Sequence, residues 1–286
     1  MSTPTHLTAF LTGGGSGIGK ALALALSARG FTVCVSDVNG DAARAVATEC
    51  GPRASALALD VCDAAAVKDS IEQFAAVNRR LDYLFNNAGI GTSGEANDIP
   101  LAAWRRIVDI NVYGVLNGVL AAYPLMIEQG FGHIVNTASL AGLGPAPLFA
   151  PYALTKHAVV GLSTSLRVEA AARGVKVSAF CPAAVETPIL DTTNPAEFGI
   201  NSAPDARRFL TALAGPPYPV ARAVEELLRA LEKNEGVIVL PARARLAWRL
   251  GRWFPGLVDV LSRRALAAER DALQTQGRDP GLQARR

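Results

Sequence analysis

The sequence predicts an α/β protein, a doubly wound parallel sheet of about seven strands with a C-terminal helical extension. Three observations carry this. Short apolar, β-branched runs alternate with longer helical patterns, the rhythm of βαβ units. The runs are continuously apolar, as strands covered on both faces are. A glycine-rich turn joins the first run to the first helix, the junction at which such sheets receive phosphates.

In chain order the strand candidates are "LTAFL", "FTVCVSD", "ASALALD", "LDYLFNN", "HIVNTAS", "VKVSAFC" and "GVIVL". Helical patterns lie between them at roughly 17–28, 41–49, 64–78, 100–129, 152–173 and 219–233. In the longest of these, Gly114, Gly118 and Pro124 predict a kink. Residues 188–218 break the rhythm with Pro, Gly, Asn and Asp. An irregular insertion at the carboxyl side of a parallel sheet suits a lid over a site. The expected organisation is one domain over 1–241, with a lid at about 188–218, followed by an Arg-rich helical extension over 242–286.

Of the 286 residues, 50% are hydrophobic and 19% charged, a globular composition. From 241 onward, ten arginines face four acids, a balance of +6 against +3 for the whole chain. The body is therefore mildly acidic and gives no reason to expect nucleic acid as a partner. Cys34, Cys50, Cys62 and Cys181 form no C-x-x-C pair, so neither a metal site nor a disulfide framework is expected. No secretory signal pattern opens the chain, and no apolar run is expected to reach the ~18 residues of a membrane span. A cytoplasmic setting is the expectation.

In "LTGGGSGIGK" the loop residues Gly13, Gly15, Ser16, Gly17, Ile18 and Gly19 separate strand from helix. Glycines there permit a tight turn and close backbone approach to a pyrophosphate, and the helix N-terminus offers free N–H groups. Asp37 ends the second strand, 18 residues after Gly19, where a carboxylate accepts from ribose hydroxyls and repels a 2′-phosphate. With Val38 and Asn39 following and no Arg or Lys at hand, NAD is expected rather than NADP. In "PYALTKHAVVGL", Tyr152 and Lys156 stand one helical turn apart and share a face.

Together T-G-x-x-x-G-I-G at 12–19, "NNAG" at 86–89, Asn111 in "IVDINVYG", Ser139 in "NTAS" and Y-x-x-x-K at 152–156 resemble the short-chain dehydrogenase/reductase family, in its small single-domain, Rossmann-fold branch. The resemblance covers about residues 7–241. It implies a catalytic tetrad of Asn111, Ser139, Tyr152 and Lys156. Free tyrosine, with a pKa of about 10, is a poor base at neutral pH and needs cationic neighbours; Lys156 and an oxidised nicotinamide would supply them. Ser139 would polarise the substrate oxygen, and Asn111 would hold a water relaying protons from the lysine. The family reading adds Asp60 and Val61 at the adenine, Asn87, Ala88 and Gly89 behind the adenosine, and Pro182, Val185 and Thr187 near the carboxamide. Where the family usually has Pro-Gly, this chain has Pro182 and Ala183. His133 and His157 are read as bystanders.

The residues expected to line the substrate pocket are Ile90, Leu140, Leu143, Pro145, Leu148, Phe149, Val185, Ile189 and Leu190. None is charged, which favours a hydrophobic secondary alcohol or its ketone over sugar phosphates and small acids. The activity so implied is NAD-dependent alcohol dehydrogenation or ketone reduction, with hydride passing directly and no metal required. Rival readings are an NADP-dependent carbonyl reductase of the same fold, a dinucleotide-dependent epimerase or dehydratase, and a non-catalytic NAD-binding regulator. A homodimer or homotetramer is expected. In the extension, "ARARLAWRLGRWFPGLVDVLSRRALAAERDAL" reads as two helices broken near Pro255 and Gly256. Two roles compete for it, covering the pocket or a neighbouring subunit and anchoring at a membrane surface. The first is favoured because its apolar residues fall on several helical faces.

Overall fold

The computed structural model describes residues 6–278. Seven strands form one parallel sheet: β1 (Thr8–Thr12), β2 (Thr32–Asp37), β3 (Ala54–Ala58), β4 (Tyr83–Asn86), β5 (Gly132–Thr137), β6 (Val175–Pro182) and β7 (Val237–Leu240), in the order β3-β2-β1-β4-β5-β6-β7. The doubly wound prediction holds. Both faces of β1 are covered, so Ala9, Phe10 and Leu11 are all fully buried, which is why the run is apolar without alternation. The direction of winding, not of the strands, reverses between the parallel neighbours β1 and β4, and their carboxyl ends open the crevice where ligands of such sheets bind.

One face carries α1 (Gly17–Ala28), α2 (Gly40–Cys50) and α8 (Val220–Glu232), with Leu22, Leu26, Val46, Leu227 and Leu231 packed on the sheet. The other carries α3 (Ala64–Asn78), α5 (Gly114–Gln129) and α6 (Ala150–Ala171), with Ile71, Val119, Met126 and Val159 inward. Helix starts are fixed by short polar side chains: Asn39 and Asp63 accept from the backbone N–H groups of Ala42 and Ala66.

The long helical pattern is interrupted just before Gly114, not at Gly118 or Pro124. After α4 (Leu101–Val108) comes a π-helical turn over Asp109–Tyr113, and α5 then runs through Pro124. The stretch Leu101–Gln129 also corrects the expectation about apolar runs, because it is long and apolar enough to cross a membrane by length and composition. Here its inner side, Val115, Val119, Ala122 and Met126, is buried.

The insertion at 188–218 is folded. It holds two 3₁₀ turns, Pro188–Asp191 and Ala196–Phe198, and α7 (Ala206–Ala214). Its first half is tied to the body by Asn194 with Ser93 and by Ser202 with Asp98. The extension forms α9 (Ala242–Trp253) and α10 (Pro255–Arg278), broken at Phe254. Arg208 of α7 pairs with the buried Glu269 of α10 at 2.6 Å, and Arg270 reaches Glu95 at 2.6 Å. The tail thus packs on this insertion.

Candidate active site

β1 delivers the chain into the glycine loop. Gly13 has φ +63°, and a Cβ there would lie 2.6 Å from Ala88 Cα, so the loop touches the segment after β4 backbone to backbone. Gly19 sits against Gly13 O, where a Cβ would come to 2.0 Å. It packs α1 onto the loop and does not line the cavity. Ser16 is the residue before α1, in extended conformation, and its side chain makes no capping hydrogen bond. It lines the cavity with Gly13, Gly17 and Ile18. Gly15 lies outside the lining and donates its N–H to Asp37 Oδ2 at 2.9 Å, while Asp37 Oδ1 accepts from Asn39 N–H at 2.9 Å. The carboxylate that would meet a ribose is thereby locked to the loop that would hold the pyrophosphate.

Behind this wall Asp60 and Val61 line the cavity, and Val61 O accepts from Asn117 Nδ2 at 2.9 Å. Asn87, Ala88 and Gly89 line it as well. Thr12, part of the glycine motif but absent from the expected site, accepts through Oγ1 from Asn87 N at 3.1 Å and Ala88 N at 3.2 Å. At the far end Pro182, Val185 and Thr187 line the cavity, held by Tyr218 through hydrogen bonds with Ala184 and Glu186. Ala183 is not among the residues with left-handed backbone, so this position does not require glycine.

Ser139 ends the extended stretch after β5 and caps a 3₁₀ turn over Leu140–Gly142, its Oγ accepting from Ala141 N–H at 3.2 Å. Gly142 packs so tightly on α6 that a Cβ would stand 2.5 Å from Lys156 O. Two residues of different elements are thereby held in register: Ser139 and Tyr152. Burial raises the Tyr152 phenol above its ordinary range, and the Ser139 hydroxyl pulls the other way. Lys156 Nζ donates to Thr137 O at 2.8 Å and lies 5.5 Å from the Tyr152 ring centroid. Burial lowers its pKa to about 8, opposed by nearby Cys181, so the ammonium persists at neutral pH beside a phenol it can stabilise once ionised.

Asn111 lies in the π-helical turn and is fully buried. Its Oδ1 accepts from Ile90 N at 2.9 Å, and its Nδ2 donates to Ile90 O at 3.0 Å and to Thr155 Oγ1 at 3.1 Å. The side chain thus fixes the loop after Gly89 and does not line the cavity. Thr155 and Thr137, which complete this framework, were not expected. Residues one place before a tetrad member and two before Ser139 gave no signal beyond their position.

The cavity measures about 1960 Å³, roughly twice the upper end of ordinary small-ligand sites, which suits a dinucleotide together with a substrate. Ile90, Leu140, Leu143, Pro145, Phe149, Val185, Ile189 and Leu190 all line it. Leu148 does not: with φ +64° it turns away into a cluster with Phe149 and Phe209. Much of the apolar wall comes instead from Phe209, Leu210 and Leu213 of α7 and from Trp248, Leu250, Phe254, Leu257 and Leu261 of the tail. His133 is buried beside Ser178, and His157 is exposed with Nδ1 at Ala153 O; neither lines the cavity.

The short chain dehydrogenase family model matches residues 7–197. Cyclohexanol dehydrogenase of Acinetobacter sp. (strain SE19) is 34% identical over 224 residues, 77% of this chain and 86% of that protein. The 2-dehydro-3-deoxy-L-rhamnonate dehydrogenase (NAD(+)) of Sphingomonas sp. (strain SKA58) is 39% identical over 184 residues, 64% of this chain and 74% of that one. Among solved structures, a short chain dehydrogenase/reductase from Burkholderia phymatum in complex with NAD superposes with a TM-score of 0.79 at 28% identity, covering 90% of this chain and 96% of that one. ElxO with NADP bound gives 0.72 at 25% identity, covering 82% and 97%. From the glycine cradle, the Ser139–Tyr152–Lys156 cluster and these matches it follows that the chain is a Rossmann-fold oxidoreductase belonging to the short-chain dehydrogenase/reductase family.

Proposed function

We infer that the protein is an NAD-dependent dehydrogenase of a hydrophobic secondary alcohol, running in reverse as a ketone reductase. The observation that carries this is the cavity itself, with Asp37 at one end and apolar walls from the lid and tail at the other. At the Asp37 end the lining contains Ser16 and Val38 but no Lys or Arg, so a 2′-phosphate would meet a carboxylate without a cation to offset it. At the other end, apolar side chains surround Ser139 and Tyr152, which favours a ring or alkyl chain beside the carbinol.

NAD, when bound, supplies the hydride acceptor and a positive ring. The chain's own groups handle the proton. Ser139 Oγ hydrogen-bonds the substrate oxygen, Tyr152 Oη takes the hydroxyl proton as hydride leaves the carbinol carbon, and Lys156 stabilises the phenolate that must exist beforehand. Ser16 and the N–H groups opening α1 would hold the pyrophosphate, and Asp37 the ribose. The rival NADP-dependent reductase is distinguished by cofactor use; the epimerase and regulator readings predict no net reduction of NAD. Four unpaired cysteines support a reducing, cytoplasmic setting. Exposed Leu101, Tyr113, Leu120, Leu154 and Val168 on and beside α4–α6 support association of copies into a dimer or tetramer. The test is a panel of cyclic, aryl and long-chain secondary alcohols with NAD and NADP, read by absorbance of the reduced cofactor. NAD-linked oxidation of apolar members is expected, and turnover confined to acids or sugar phosphates would overturn the reading.

A further inference from the structure

α9 and α10 have two apolar sides. On the inner one, Ala244 and Trp248 pack on the core below β7, and Ala265 and Leu266 pack against Phe209. On the outer one, Leu246, Leu250 and Trp253 recur at i, i+4 and i+7 along α9, and Leu257, Val260 and Leu261 share a face of α10. All six are exposed, from 45% for Val260 to 81% for Trp253. The apolar residues that the sequence scattered over several faces thus divide into a packed set and an unpacked set; the unpacked set gives each helix an exposed apolar face, and the two faces meet at the cavity through Leu250, Leu257 and Leu261.

Three features of this surface choose its occupant. Residues 242–264 carry six arginines against one acid, Asp259. Arg249 flanks the outer face of α9 and Arg264 ends that of α10 one turn beyond Val260 and Leu261, and among the described residues neither forms an ion pair. Cationic heads flanking Leu and Trp are what an anionic bilayer interface takes, the stems lying along the apolar boundary and the guanidinium groups among the headgroups. Third, Leu250, Leu257 and Leu261 line the cavity while more than half of each is exposed, so the same face forms the rim of the site.

We propose that the outer face of α9–α10 docks on an anionic lipid surface and sets the rim of the substrate cavity at the lipid boundary. Docking needs no turnover; only the consequence, that a lipophilic alcohol enters from the bilayer, rests on the functional reading above.

The experiment uses the full chain and large unilamellar vesicles of phosphatidylcholine with or without phosphatidylglycerol. Binding is read by co-sedimentation and by tryptophan fluorescence, since Trp253 would enter the interface. The expected result is binding that requires phosphatidylglycerol and weakens by about tenfold between ~0.05 and ~0.3 M salt. Two variants separate the contributions, neither touching a cavity-lining residue: L246Q/W253Q/V260Q on the apolar face and R249Q/R264Q at its edge. Each should lower vesicle partitioning by about tenfold or more, with NAD affinity unchanged. No binding to anionic vesicles, or binding indifferent to both variants, would overturn the proposal. So would a concentration-dependent dimer in sedimentation velocity that the apolar variant dissolves, because the face would then belong to a second copy. Vesicle binding by a protein that oxidises no apolar alcohol would leave docking standing and refute the functional reading instead.

Discussion

Gly142→Ala tests whether one close backbone contact aligns the site. Gly142 is not in left-handed conformation, so alanine brings no torsional penalty of its own. Its Cβ, however, would stand 2.5 Å from Lys156 O and 2.7 Å from Lys156 C, about 0.9 Å short of the 3.4 Å where ordinary contact begins. The obstacle is backbone in the middle of α6, which no rotamer change can remove. Either the turn carrying Ser139 or the helix carrying Tyr152 and Lys156 must move by close to 1 Å. Overpacking of this kind costs about 1–3 kcal/mol of stability. A 1 Å misplacement of reacting groups costs about 100-fold in rate, equivalent to roughly 2.7 kcal/mol in the barrier. The dinucleotide cradle at Gly13, Ser16 and Asp37 lies on other elements, so NAD affinity should change by less than about threefold. The assay is steady-state kcat with NAD and an apolar alcohol, beside NAD titration by tryptophan quenching. Gly161→Ala, on the same helix with nothing within 4 Å of the new Cβ, should gain up to about 1 kcal/mol and keep its kcat. A folded Gly142→Ala enzyme with kcat within about twofold of the parent would refute the alignment argument.

Tyr152→Phe should lower kcat by about 100-fold to 10,000-fold while NAD titration is unchanged; near-parental turnover would remove Tyr152 from the chemistry. The unmutated enzyme should show at least about tenfold higher kcat/KM with NAD than with NADP, and Asp37→Ser with Asn39→Arg should narrow or reverse this. That variant should also use NAD less well, because the loop loses the acceptor of Gly15 N–H. His133 has its pKa depressed from 6.5 to about 3, chiefly by burial and further by Lys176 and Arg167. The unfolded chain therefore binds a proton that the folded chain refuses between those values, and stability falls as pH drops through that window, by about 2 kcal/mol at ~pH 5. Urea unfolding of the parent and His133→Asn at pH 7 and pH 5 should show the variant less stable overall but with that much less acid sensitivity; equal pH dependence would clear His133.

What the sequence by itself determined is what short-range geometry encodes. Seven apolar runs became seven parallel strands; the central ones are buried on both faces and so have no polar side to alternate, whereas the edge strand β3 is partly exposed. The glycine loop, the Tyr152–Lys156 pair and the break near Pro255 were legible because strand-to-turn, i to i+4 and helix-to-break relations all lie within a few residues. Tertiary structure alone decided which groups those local devices meet. The motif marks Asn111, but only the folded chain shows its side chain bonded to Ile90 and Thr155, both more than twenty residues away. Leu148 has the right chemistry for the pocket, yet its left-handed backbone turns it toward Phe209. The walls contributed by α7 and α9–α10 come from residues that follow Lys156 by fifty or more positions. Periodicity states that a helix has an apolar face, whereas only the packed chain states which of two such faces finds the core and which is left at the surface, because burial is settled by what else competes for the same space.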